Sequence, residues 1–402
     1  SRNNLIGYYT GGALTTGHGN TAIGDSALRN CSTGDNNVAI GRDALKDSTV
    51  NTLTAVGYYA LRDNTTGLNN IAVGAWAAQN NTTGTSNVII GNSALSSGTT
   101  ASYCVGIGAD TLQNITTTGY QTAVGALALR DCESGYGNTA VGFSAGINIT
   151  TGGNNVAVGY HALKDHTTAT GAVAVGYMAL EANTTGPRNT AVGYKALNSN
   201  TTTGYCVAVG YGALEDSTNH HNTAVGVNGL HSCTTGQYNT AIGSDSGYST
   251  TTGYNNTTIG YDSSSSAVNV ANEITLGNSS ISTLRCQTTS ISSLSDRRDK
   301  TDINTLDLGL DFINALKPVK FKWDSREGIL KDGSYEAGFI AQDFQEVQKD
   351  NDADYLNLVL ESNPEKLEAA PGKLIPILVK AIQDLSAKNN DLEARLSILE
   401  AT

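Results

Sequence analysis

Glycine recurs through the first two thirds of the chain at a nearly fixed step, and internal self-similarity of this kind restricts a fold more than any local propensity does. Aligned on motifs such as Asn189-Thr190-Ala191-Val192-Gly193, the repeat glycines run from Gly7, Gly24 and Gly41 to Gly260 and Gly277. The step is 17 residues, shortened to 16 before Gly57 and again before Gly226. Before each glycine stands Ile, Val or Leu, two before it mostly Ala, and three before it usually Val, Thr or Ile. A β-branched and an aliphatic side chain thus share one face, which reads as a short strand with the larger pair buried. Leu28, Leu45, Leu95, Leu163 and Leu197, four residues after the glycine, supply a second inward contact.

Ten residues after the repeat glycine comes another, as at Gly67, Gly84, Gly135, Gly152, Gly186 and Gly236, preceded by a polar pair such as Thr-Thr. That is turn chemistry. Each unit is therefore expected to form one coil of a parallel β-roll or β-solenoid, which buries its apolar face only by stacking on its neighbours. At β spacing, 17 coils rise ~80 Å. Asn stands four before the glycine in 11 of the 17 coils, among them Asn20, Asn37, Asn87, Asn138 and Asn222. A stacked amide ladder along the coil edge is expected from it. With these features the repeats resemble the head repeats of trimeric bacterial adhesins, left-handed parallel β-rolls, although the period here is longer.

Composition divides the chain near residue 290. Residues 1–294 hold 40 of the 45 glycines and 25 charged residues, whereas 295–402 carry 35 charges and four of the five prolines. The net charge of −12 combines 10 basic against 15 acidic side chains in the first part with 14 against 21 in the second, without a basic run. Nucleic acid is therefore not an expected partner. No apolar run approaches the length of a membrane span, so no membrane insertion is expected. Ser1-Arg2-Asn3 offers neither initiator Met nor signal core, and the segment is expected to be cut from something longer.

Cys31, Cys132 and Cys233 share one repeat position and Cys104 and Cys206 another. Same-position neighbours lie about six coils, or ~29 Å, apart, too far to bridge within one chain. They are expected to be reduced apolar fillers of a protein folded in a reducing cytosol. The period is not nine and the Gly-Gly-x-Gly-x-Asp pattern is missing, which argues against a calcium-binding roll. No glycine-rich phosphate loop forms either, because each glycine follows a strand without a helix behind it. No cofactor and no metal are expected.

Tyr recurs just after the repeat glycine, at Tyr58, Tyr160, Tyr177, Tyr194 and Tyr211 as well as Tyr8 and Tyr261. Two uses of such a column compete: contact with host glycans, whose sugar rings stack on aromatic faces, and packing between subunits, where Tyr fills an interface at small entropic cost. Trp76 and the pair His220 and His221 are further candidates for receptor contact. The histidines have no Cys or carboxylate at ligand spacing, so solvation is favoured over metal binding.

From Ser295 the text changes to Ser295-Asp296-Arg297-Arg298-Asp299-Lys300, then Leu316-Lys317-Pro318-Val319-Lys320-Phe321-Lys322-Trp323, then Gly338-Phe339-Ile340-Ala341-Gln342-Asp343. These motifs resemble the intramolecular chaperone auto-processing domain at the C-termini of phage endosialidase tailspikes, neck appendages and fibres, and of a membrane-bound eukaryotic transcription factor. The resemblance covers residues 295–402. It implies a Ser-Lys dyad of Ser295 and Lys300, with Asp296, Arg298 and Gln342 as supporting motif residues. It also implies a cut between Leu294 and Ser295 that releases the chaperone. A serine hydroxyl is inert until a base takes its proton, and a lysine is that base only when desolvation favours its neutral amine. A trimer interface can supply the burial, which would delay the cut until assembly.

Ile375, Leu378, Ile382, Leu385, Asn389, Leu392, Leu396 and Leu399 alternate three and four residues apart, a heptad seam with Asn389 at a register-setting position. The expected organisation is a β-roll shaft over 1–277, a stem over 278–294, a small α+β chaperone over 295–373, and a trimeric coiled coil over 374–402. The function implied is that of a phage tail fibre or tailspike: a homotrimer located in the virion tail and made in the host cytoplasm. It would attach to a host-surface glycan or protein receptor and join other tail proteins through an upstream region. Its enzymatic act would be a single-turnover serine auto-endopeptidase cut in its own chain. A trimeric bacterial adhesin and a capsule depolymerase are the alternatives. The first lacks its membrane-anchoring β-strands here. The second would need paired carboxylates, and the acids Asp25, Asp43, Asp110, Glu181, Asp245 and Asp262 are scattered.

Overall fold

The computed structural model describes residues 2–285, 287, 295–323, 334–365 and 367–401. The chain separates into two compact units, residues 1–278 and 279–402. In the first, every repeat contributes one three-residue strand, from β1 (Asn4–Ile6) and β2 (Thr21–Ile23) to β17 (Ile274–Leu276), and all join one parallel sheet of 17 strands. Register equals the repeat. Val156 lies beside Val173, and the two short steps appear as Val38 beside Thr54 and Val207 beside Thr223. The parallel β-solenoid read from the periodicity is the fold. Each short coil loses its residue in the exposed turn: Thr49 and Thr218 keep their places, their hydroxyls donating to the carbonyls of Thr65 and Thr234, 16 residues on.

The facing of the strand is the reverse of the expectation. Its central alanine points inward, with Ala22, Ala39, Ala174 and Ala191 fully buried, while the β-branched residues on either side turn outward and stay partly exposed. The bore of the coil explains this. Fully buried Leu28, Leu45, Leu95, Leu163 and Leu197 fill it from the opposite wall, and at close-packed density little more than a methyl group fits across from them. One exception supports the rule: Ile89 takes an alanine position, and the next coil compensates with Gly106, where a methyl group would sit 3.3 Å from Ile89 Cδ1 and 3.2 Å from Leu112 Cδ1. The buried leucines themselves adopt left-handed backbone, φ 55° at Leu28 and 50° at Leu163, which is uncommon for a side chain of that size.

Two kinds of glycine serve the stack. Gly108, at the end of its strand, has φ 137°, and a Cβ there would lie 2.6 Å from the carbonyl of Gly125. Gly34, in the second series, has no such φ, yet its Cβ would lie 2.5 Å from the carbonyl oxygen of Val50. Close approach of successive coils, rather than turn conformation alone, therefore selects the second series.

The asparagine ladder forms, but inside the coil rather than along its edge. Asn138 Oδ1 accepts from the backbone N–H of Asn155 at 3.0 Å, and its Nδ2 donates to the carbonyl of Gly152 at 2.9 Å. Asn20, Asn189, Asn222 and Asn239 make the same carbonyl bond at 2.7–2.8 Å. Each buried amide thus satisfies backbone groups of the next coil that would otherwise be orphaned. A second buried column contains Asn64 and Asn81, then His166, Asn183 and Asn200; the His166 ring nitrogens lie 2.8 Å from Asn183 Oδ1 and 3.0 Å from the Ala169 carbonyl. Cys31, Cys104, Cys132, Cys206 and Cys233 are buried and free. Burial pushes the thiols of Cys132 and Cys233 up to about 11. Cys286 lies outside the described residues.

The second unit is a small α+β fold. Helices α1 (Leu310–Ala315), α2 (Ala341–Asp350) and α3 (Ile375–Glu400) accompany two antiparallel pairs, β18 (Val319–Phe321) with β19 (Glu336–Gly338) and β20 (Val359–Leu360) with β21 (Glu368–Ala369). Its core gathers Phe312, Leu316, Phe344, Val347, Leu358, Leu374 and Ile377. The first turns of α3 pack on α1 through Ile377 and Ala381, while the heptad residues Ile375, Leu378, Ile382, Leu385, Leu392, Leu396 and Leu399 remain exposed. Asn389 donates within its own helix to Glu393 at 2.9 Å. Among the described residues no helix is long and apolar enough to cross a membrane.

Candidate active site

A short 3-10 turn, Arg297–Asp299, sets the geometry around Ser295. Asp296 caps it, its Oδ1 accepting from the backbone N–H of Arg298 at 2.9 Å, as short polar side chains do at helix starts. The Arg298 guanidinium then closes on the same carboxylate, with Nη2 2.6 Å from Oδ2. That pairing holds the Asp296 carboxyl below its ordinary range. The turn brings Lys300 back over the start of the segment, and its Nζ donates to Ser295 Oγ at 2.6 Å. The Asp296–Arg298 pairing and the Ser295–Lys300 contact thus lie side by side on one turn.

Ser295 and Lys300 are both exposed, so the single chain does not supply the burial that a lysine base requires. Leu294, on the acyl side of the expected cut, lies outside the described residues. Gln342 is exposed in the first turn of α2, and no hydrogen bond among the described residues joins it to Ser295 or Lys300.

On the shaft, Tyr160, Tyr177, Tyr194 and Tyr211 form a continuous stack, with centroids 5.3, 5.1 and 4.9 Å apart and rings within 9° of parallel. Phe143 extends it at 5.6 Å. In such a pile each ring covers its neighbour's face, leaving edges and hydroxyls outward, so the flat faces that would stack on sugar rings are open only at its ends. Tyr58 lies against Tyr59 at 4.0 Å and meets Trp76 edge-on at 5.5 Å.

A second aromatic column, five residues before the repeat glycine, escaped the sequence reading. Tyr103 stacks on Tyr120 at 5.0 Å, and His221 lies between Tyr205 and Tyr238 at 5.2 and 5.1 Å. Aligning the glycines and reading the variable positions beside them would have found it. It also explains the histidine pair: His221 is an aromatic spacer, and His220 Nδ1 accepts from the N–H of Gly204 at 3.0 Å. Of the six scattered shaft acids, Asp43 pairs with Arg42 at 3.3 Å, Glu181 lies 3.5 Å from Lys164, and Asp245 accepts from Asn228 at 3.1 Å.

Residues 295–353 match the family described as chaperone of endosialidase, and the match opens on Ser295. The chaperone-family segment and the long parallel β-solenoid together fit a tailspike-like or fibre-like protein. No curated protein and no solved structure matches the chain.

Proposed function

We propose that the chain is a phage tail fibre or tailspike protein for host-surface attachment, trimerised by a C-terminal intramolecular chaperone that severs itself from the shaft. The observation that carries this is the Lys300 Nζ to Ser295 Oγ bond at 2.6 Å, at the first residue of the matched segment. Ser295 Oγ attacks the carbonyl carbon of Leu294 as Lys300 takes the hydroxyl proton. The Leu294–Ser295 amide breaks, its nitrogen gains a proton and becomes the amino group of Ser295, and an ester joins Leu294 to Oγ. Water then hydrolyses the ester, leaving a carboxylate at Leu294 and restoring the hydroxyl. The act is single-turnover, because nucleophile and substrate belong to one chain.

Exposure of the dyad supports a cut that waits for assembly: neighbouring chains would bury Lys300, and desolvation favours the amine that can accept a proton. The exposed heptad seam of α3 supports a coiled coil as the assembling element. Localisation in the virion tail, receptor binding, and attachment to other tail proteins belong to the same proposal. Intact and native mass spectrometry of wild type, Ser295→Ala and Lys300→Arg tests it. Wild type should yield fragments ending at Leu294 and beginning at Ser295. Both variants should stay whole and trimeric, because arginine keeps the charge but does not act as the base. A full-length wild-type trimer would overturn the dyad's role, leaving the second unit a permanent cap.

A further inference from the structure

The outward face of the strand stack has no function in the fold of one chain. At the positions one and three before the repeat glycine, the side chains from Thr21 and Ile23 to Ile274 and Leu276 are all Thr, Val, Ile or Leu, and β1 adds Asn4 and Ile6. None is charged, although these side chains point away from a core already filled by alanine and leucine. Val141 is 37%, Val225 39% and Ile242 44% exposed. The column one before the glycine is therefore an unbroken, partly exposed row of Ile, Val or Leu along the stack, flanked by a mixed row of Thr, Val and Ile, and contiguous apolar patches of this size mark interaction sites on soluble proteins. The Tyr160 to Tyr211 stack, two positions further along each coil, borders it.

We infer that this stripe is where the shafts of identical chains meet, parallel and in register, facing the axis of the assembly; the inference rests on the homotrimer proposed above. Three observations select a second copy of this chain as occupant. A strip ~80 Å long and ~10 Å wide at strand dimensions offers about 800 Å² per chain, the area one partner gives to a standard interface. The repeat is the same in every chain, so rotation about an axis parallel to the stack sets each coil beside its own counterpart, Val beside Val, at every level. A charge-free stripe also gives like chains nothing to repel.

Disulfide trapping on the full chain tests the face, with native mass spectrometry counting subunits. Val175→Cys places a thiol on the stripe, and Thr185→Cys places one in the exposed turn of the next coil. The native cysteines described are buried and compete poorly. Around a three-fold axis three thiols form one bond, so mild oxidation should convert about two thirds of Val175→Cys chains to covalent dimers and leave Thr185→Cys chains single. A trimer in which Val175→Cys stays single, or Thr185→Cys links instead, overturns the interface while leaving the trimer intact. A monomer by native mass overturns the trimer itself, and the interface with it.

Discussion

Adding one methyl group at a strand-ending glycine should be far more damaging in the middle of the stack than at its end. At Gly108 the Cβ of alanine would lie 2.6 Å from the carbonyl carbon and oxygen of Gly125, and the backbone has φ 137°. At Gly7 the numbers are nearly the same: 2.5 Å from the carbonyl oxygen of Gly24, with φ 138°. Backbone strain of this kind costs about 1–3 kcal/mol, and overpacking against atoms that cannot rotate away costs about 1–3 kcal/mol more. Gly108→Ala should therefore lose about 2–6 kcal/mol per chain, or roughly 5–15 °C in Tm at a few degrees per kcal/mol. Coils interact only with their neighbours, and β1, exposed at all three residues, can detach without disturbing the rest. Gly7→Ala should then lose less than about 3 °C. Thermal unfolding followed by circular dichroism measures both, and hydrogen exchange locates the opening. Equal losses would refute nearest-neighbour coupling, and a Gly108→Ala loss under about 1 kcal/mol would refute the clash.

Asn138→Ala orphans the N–H of Asn155 and the carbonyl of Gly152, and should destabilise the shaft by about 2–6 kcal/mol at about 1–3 per buried group; an unchanged urea midpoint would show that water replaces the amide. Burial lowers the His166 pKa against the pull of Asn183 and the Ala169 carbonyl. The folded shaft thus favours the neutral ring, so stability is complete above the unfolded value of about 6.5 and falls as pH drops below it, by at most about 1.4 kcal/mol per pH unit. His166→Asn, the residue at Asn183 and Asn200, should flatten the urea midpoint between pH 7 and 5, and an unaltered slope would remove His166 as the cause. Maleimide labelling at pH 8 should leave Cys132 and Cys233 unmodified in the folded shaft and modify them in urea, and rapid labelling of the folded protein would contradict their burial.

Coil length and strand register were legible in the sequence because the 17-residue step repeats without ambiguity. The strand's facing was not, because Val-Ala-Val alternation is the same pattern whichever side is buried; the choice falls to the bore, set by leucines such as Leu163 on a different arc of the coil. Nothing about Leu163 announces a left-handed backbone, since that conformation usually calls for glycine or asparagine. The Ser295–Lys300 pairing was legible as a motif. The Asp296–Arg298 pairing beside it was visible only as motif residues, and the exposure of Ser295 and Lys300 was not visible at all. The aromatic column through Tyr205, His221 and Tyr238 was missed because one histidine interrupts the tyrosines.

The ladder through Asn138 and Asn155 also makes length an independent variable. In the 11 of 17 coils whose ladder residue is Asn, the same amide and the same carbonyl are presented upward and downward, so a 17-residue unit can be gained or lost there without any residue elsewhere needing to change. Even the coils ending at Gly57 and Gly226, one residue short, rejoin the register at the next strand. Unequal recombination between repeats would then move the far end of the shaft in steps of ~4.8 Å, letting a lineage alter its reach while whatever lies at either end stays the same.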